Sequence, residues 1–156
     1  MLTMMTKASD VIAALQGKTL VTAESLTGGG IGGVLTAVPG ASAVFKGGII
    51  SYTDEVKIQV LGVPRAYLTT FGAVSAPVAE AMAVGARDLL KADIAISVTG
   101  LAGPSGDEFG HEVGTVFIGY ADRNGVTAGE YHFSGDREAV RNQTIETALD
   151  LILKNA

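Results

Sequence analysis

Residues able to do chemistry gather at three places in the chain. Ser25 stands in Glu24-Ser25-Leu26-Thr27-Gly28-Gly29, at an expected strand-to-helix turn. The N–H groups of Leu26, Thr27, Gly28 and Gly29 point outward at such a turn and can stabilise an oxyanion, so Ser25 reads either as a nucleophile or as a helix N-cap. Tyr52 closes a second strand, and Lys57 follows about one turn into the next helix. A lysine near a helix N-terminus opposes the macrodipole, and partial burial lowers its pKa further, which suits it to take a proton from a serine. The alternative is a solvated lysine beside Asp54 and Glu55. Arg141, four residues before Ile145 and eight before Leu149, breaks the apolar stripe of the last helix. It either snorkels at the helix end or projects over the sheet edge to bind an anion such as phosphate, and Arg137, one turn earlier, assists it or faces water. The loop from Thr99 to Gly106, containing Gly100 and Gly103, offers N–H groups for the same anion or is only a tight connection.

Strand ends must bring these residues together. Val11, Ile12 and Leu15 follow Ser9-Asp10, a plausible N-cap, and predict a first helix that stops at Gly17. Residues 18–24 predict a strand, and Ile31, Val34, Leu35 and Val38 predict a helix over 27–38, closed by Pro39-Gly40. A strand over 44–52 with a bulge at Gly47-Gly48 leads into a short helix from Thr53 through Leu61. Pro64 and Gly72 punctuate the stretch beyond that helix. A helix over 76–91, a buried strand over 93–99, and a hairpin of strands 113–120 and 126–133 around Asn124-Gly125 come next. The last helix, 136–154, buries Ile145, Ala148, Leu149 and Ile152. The order αβαβααβββα predicts a single α/β domain over 1–156, an α/β/α sandwich whose sheet is mixed because a hairpin closes it.

Composition narrows the chemistry. The 156 residues are 47% hydrophobic and 17% charged, enough for one sizeable core. The net charge is −5 without a basic run, which argues against a nucleic-acid surface. The chain has no cysteine, which removes thiolate catalysis and Cys-based zinc sites, and His111, Glu112, Glu108 and His132 contain no histidine pair at ligand spacing, so no metal is expected. A serine with a lysine base is among the few nucleophile–base pairs left. The start lacks a basic region followed by an apolar stretch, and no apolar run reaches about 18 residues, which predicts a cytoplasmic protein without membrane association. Exposed sheet edges on a small glycine-rich sandwich favour a homo-oligomer.

Over nearly its whole length the chain resembles the CinA C-terminal domain family, the nicotinamide-nucleotide amidases. The likeness rests on Thr22-Ala23-Glu24-Ser25 with Thr27-Gly28-Gly29, Pro39-Gly40-Ala41-Ser42, Gly48-Ile49-Ile50-Ser51-Tyr52 with Glu55 and Lys57, and Gly72-Ala73-Val74-Ser75. It continues through Thr99-Gly100-Leu101-Ala102-Gly103-Pro104, Val113-Gly114-Thr115-Val116, and Phe133-Ser134-Gly135-Asp136-Arg137 with Val140-Arg141. The resemblance implies a cofactor-free serine amidohydrolase that deamidates nicotinamide mononucleotide. Ser25 would be the nucleophile, Lys57 its base, Tyr52 an assistant, and Arg141 with the 100–106 loop the holder of the phosphate. Two positions depart from the family pattern. Leu26 replaces a common cysteine, and Asp107 with His111-Glu112 puts negative charge where the family tends to a Lys-Pro pair.

Two other function classes fit the residues alone. A non-catalytic module would use the same loops to bind a phosphate-bearing ligand. A dinucleotide oxidoreductase would use Gly28-Gly29-Gly30-Ile31-Gly32-Gly33, which satisfies G-x-G-x-x-G, although Ser25-Leu26-Thr27 separate it from the strand.

Overall fold

The computed structural model describes residues 2–156. Its elements run α1 (Leu2–Ala14), β1 (Leu20–Glu24), α2 (Gly30–Thr36), a 3-10 turn (Ala41–Ala43), β2 (Phe45–Ile50), α3 (Asp54–Gln59), α4 (Arg65–Phe71), α5 (Ala76–Leu90), β3 (Ile94–Gly100), β4 (Thr115–Asp122), β5 (Gly125–His132) and α6 (Arg137–Asn155). One five-stranded sheet has the order β2-β1-β3-β4-β5. β1 pairs in parallel with both β2 and β3, while β3/β4 and β4/β5 are antiparallel. The mixed sheet between helical layers is the expected sandwich.

Alternation along the strands builds two different cores. Leu20, Ile94, Ile96 and Val98 face α1, α2 and α6, where Leu35, Val140, Ile145 and Leu149 fill the space. Val21, Ala23 and Ala95 face Val78, Met82, Ala83 and Ala86 of α5. Small residues let α5 sit close to the sheet: Ser97 Oγ donates to the Ala79 carbonyl at 2.6 Å, and Gly119 leaves no room for a Cβ beside that carbonyl. No helix among the described residues is long and apolar enough to cross a membrane.

Several boundaries differ from expectation for identifiable reasons. The first helix begins by Leu2, not at Ser9-Asp10, because Met4 and Ala8 extend the buried stripe of Val11, Ile12 and Leu15 upstream. Ser9 and Asp10 lie within the helix on its exposed face. α2 starts at Gly30 because Gly28 and Gly29 take φ of 59° and 96° and hold Thr27–Gly29 in a turn. The β2 bulge falls at Lys46, one residue before Gly47: Leu20 faces Phe45 and Val21 faces Gly47. The hairpin forms where expected, but Asn124 keeps a negative φ, its N–H bonds to the Asp122 carboxylate, and Gly125 takes the positive φ. The structure adds α4 to the expected elements; only Leu68 of its seven residues is buried, so no apolar period marks it.

Candidate active site

β1 ends at Glu24 between two parallel neighbours, so the carboxyl ends of β1, β2 and β3 open on one edge of the sheet. That is where α/β sheets bind ligands. A cavity of about 580 Å³ lies there, lined by Ser25, Leu26, Tyr52, Lys57, Thr99, Gly100, Gly103 and Arg137 among others. Its size suits a small molecule.

Lys57 and Ser25 meet at its floor. Thr53 caps α3 by accepting the Val56 N–H, which starts the helix so that Lys57 projects back under β1. The lysine is 1% exposed. Nζ donates to the Ser51 carbonyl at 2.8 Å and to the Tyr52 carbonyl at 3.2 Å, and lies 3.1 Å from Ser25 Oγ. Burial pushes the Lys57 pKa down from 10.5 to about 8, with the Asp54 carboxylate pulling the other way. A neutral amine carries two hydrogens and one lone pair. With the two carbonyls taking the hydrogens, the lone pair is left for the Ser25 hydroxyl, the geometry of a general base.

Tyr52 meets the serine–lysine pair through its backbone. Its carbonyl accepts from Lys57 and lies 3.4 Å from Ser25 Oγ, whereas its phenol, on a side chain 55% exposed, accepts from Arg137 Nη2 at 3.1 Å. Among the described residues the phenol makes no hydrogen bond to the serine–lysine pair.

The two arginines differ in what they touch. Arg141 Nε donates to the Leu26 carbonyl at 2.9 Å and Nη2 to the Thr27 carbonyl at 3.2 Å, so Arg141 braces the turn and does not line the cavity. Arg137 faces the cavity, with Nη1 on the Gly103 carbonyl at 2.7 Å. Of the turn's donors, the Gly28 N–H is spent on the Ser25 carbonyl, while those of Leu26, Thr27 and Gly29 have no partner among the described residues. In the 100–106 loop, Leu101 N–H bonds to Thr115, and Ala102 and Gly103 N–H groups are likewise without a partner among the described residues. Thr99 lines the cavity and donates its hydroxyl to the Ala73 carbonyl at 2.9 Å.

Glu24 is the residue that sequence reasoning left unused. It is 2% exposed and accepts four hydrogen bonds: Thr27 Oγ1 (2.6 Å) and Ile31 N–H (2.8 Å) on Oε1, Thr22 Oγ1 (3.1 Å) and Gly32 N–H (3.0 Å) on Oε2. An acid ending an otherwise uncharged strand, just before a glycine run, was its signal. The carboxylate occupies the N-terminus of α2, where a dinucleotide-binding turn would receive a pyrophosphate. The glycine run thus closes around an internal anion, and the dinucleotide reading has no place to put its ligand.

Residues 3–156 match the family model for the CinA C-terminal domain. The chain belongs to that family. A CinA-like protein of Geobacter metallireducens is 52% identical over 134 residues, covering 86% of this chain and 32% of its own length, and one of Geobacter sulfurreducens is 50% identical over 135 residues, with 86% and 33% covered. The chain thus spans about a third of the length of these relatives. Among solved structures, a CinA superfamily protein of Klebsiella pneumoniae superposes with a TM-score of 0.95 at 34% identity, covering 97% of this chain and 96% of its own. The competence/damage inducible protein CihA of Agrobacterium tumefaciens gives 0.94 at 39% identity, with 97% and 94% covered.

Proposed function

We propose that this CinA-family chain is a serine-type amidohydrolase that converts nicotinamide mononucleotide to nicotinate mononucleotide and ammonia. The observation that carries it is the buried Lys57 amine 3.1 Å from Ser25 Oγ with its pKa lowered to about 8. Ser25 Oγ adds to the carboxamide carbon as its proton passes to Lys57, forming a tetrahedral oxyanion beside the Leu26 N–H. Lys57 returns the proton to the nitrogen as the C–N bond breaks, and ammonia leaves an ester on Ser25. Water then adds to that ester, giving its proton to Lys57, and collapse frees the carboxylate and restores the Ser25 hydroxyl. Arg137 and the N–H groups of Ala102 and Gly103 are the cavity's donors for the 5′-phosphate.

The test is ammonia release from nicotinamide mononucleotide by the purified protein. The wild type is expected to release it, and Ser25→Ala and Lys57→Ala to lose at least about a thousandfold in kcat, the scale seen when a nucleophile or its base is removed. Release by Ser25→Ala at the wild-type rate would falsify the mechanism. A phosphate-binding module without turnover would show ligand binding and no ammonia from any of the three proteins.

A further inference from the structure

The segment from Gly103 to Glu112 contributes nothing to the proton chemistry, yet Gly103, Ser105, Asp107, Glu108 and Phe109 form one side of the cavity. Asp107 clips this segment together. Its Oδ1 accepts the N–H of Phe109 at 3.1 Å and of His111 at 2.9 Å, and its Oδ2 lies 2.8 Å from His111 Nδ1. The His111 ring meets Phe117 of β4 edge-on at 6.3 Å between centroids, which ties the clip to the sheet. Phe109 is thereby folded back onto Gly72. A Cβ on Gly72 would stand 2.6 Å from Phe109 Cδ2 and 2.7 Å from Cε2, so that edge of the ring rests on bare backbone. Phe109 as a whole stays 41% exposed and lines the cavity that holds Ser25 and Lys57.

The cavity that the ring lines carries a small excess of negative charge. The lining carries Asp54, Asp107 and Glu108 against Lys57 and Arg137, and Asp107 and Glu108 flank Phe109 in the chain. Glu108 makes no ion pair or side-chain hydrogen bond among the described residues. An aromatic ring draws positive charge toward its face through its quadrupole, and nearby carboxylates add to the same field. A half-exposed aromatic with acidic neighbours therefore suits a flat cation better than a flat neutral ring.

We propose that Phe109, held by the Asp107–His111 clip and flanked by Glu108, is a specificity-determining residue that stacks the substrate's ring and selects carboxamides borne on a positively charged aromatic ring over uncharged ones. The ligand class rests on the amidase reading, and the test is a binding measurement that needs no turnover. Calorimetry on Ser25→Ala protein would compare 1-methylnicotinamide, a pyridinium carboxamide without ribose or phosphate, with neutral nicotinamide. The cation is expected to bind about fivefold tighter, the range of a partly exposed cation–π contact. Adding Phe109→Leu, which keeps apolar bulk without the π face, should bring the two affinities together. Phe109→Tyr should keep them apart, and Glu108→Gln should narrow the gap. Equal affinities in the parent, no binding of the cation, or a preference that survives Phe109→Leu would overturn the proposal. If wild-type protein releases no ammonia while the preference and its loss are both measured, the proposal stands and the amidase reading falls.

Discussion

Lys57 keeps two hydrogens on fixed carbonyls, so its titration changes only the position that faces Ser25. Activity is expected to rise with pH through a midpoint near 8, following the neutral amine. Asp54→Asn removes the charge that raises this pKa and should move the midpoint lower; a kcat profile over roughly pH 6 to 10 reads both effects. The same titration bears on stability. The pKa is about 8 when folded and near 10.5 when free, so within that window the folded chain binds fewer protons and stability climbs with pH. Below the window the cost of the buried charge, of the order of 3 kcal/mol, is fully present. Urea unfolding of wild type against Lys57→Met at both ends of the window should show the wild type gaining relative to the variant as pH rises. The arginines separate kinetically. Arg141→Ala releases two carbonyls of the turn and should lower kcat by about ten- to a hundredfold, the loss of one or two charge-assisted bonds. Arg137→Ala should raise KM for the phosphorylated substrate and leave its nucleoside unaffected.

Among the elements, α2 depends most on a residue outside it. Its seven residues include three glycines, weak helix formers, and its first turn is held by the Glu24 carboxylate. Glu24→Gln turns an amide NH2 toward donors and should destabilise the fold by about 1–3 kcal/mol, measured by thermal unfolding. Helix α5 makes a different demand. A Cβ on Gly85 would stand 1.9 Å from the Leu61 carbonyl oxygen, so Gly85→Ala should cost about 2 kcal/mol or more by forcing α5 off the segment after α3. Periodicity revealed the strands and the longer helices, because Ile94, Ile96 and Val98 or Val140, Ile145 and Leu149 report directly which face is buried. It could not reveal α4, which buries one leucine, nor the start of α1, where Ser9 and Asp10 mimic a cap while riding on the solvent side.

At the scale of the whole molecule, the site is a junction of both layers. Ser25 and its turn are backed by α2 and α6, while Lys57 arrives from the opposite side on α3. Loss of activity and loss of near-ultraviolet dichroism are therefore expected to share one urea midpoint. The residue types at the junction were legible from spacing, since Ser25 follows β1, Lys57 stands one turn into α3 and Arg137 opens α6. What each touches was less so, because side-chain identity does not encode that the Tyr52 carbonyl meets Lys57 or that Arg141 donates to the carbonyls of Leu26 and Thr27. Those roles are set by backbone positions far apart in the chain. The Arg141 clamp on Leu26 spans 115 residues, so a ribosome releases the serine turn long before the arginine that fixes its shape. Nascent chains must carry an unbraced site until α6 emerges, and a chain cut short before Arg141 should be inert although Ser25 and Lys57 are both present.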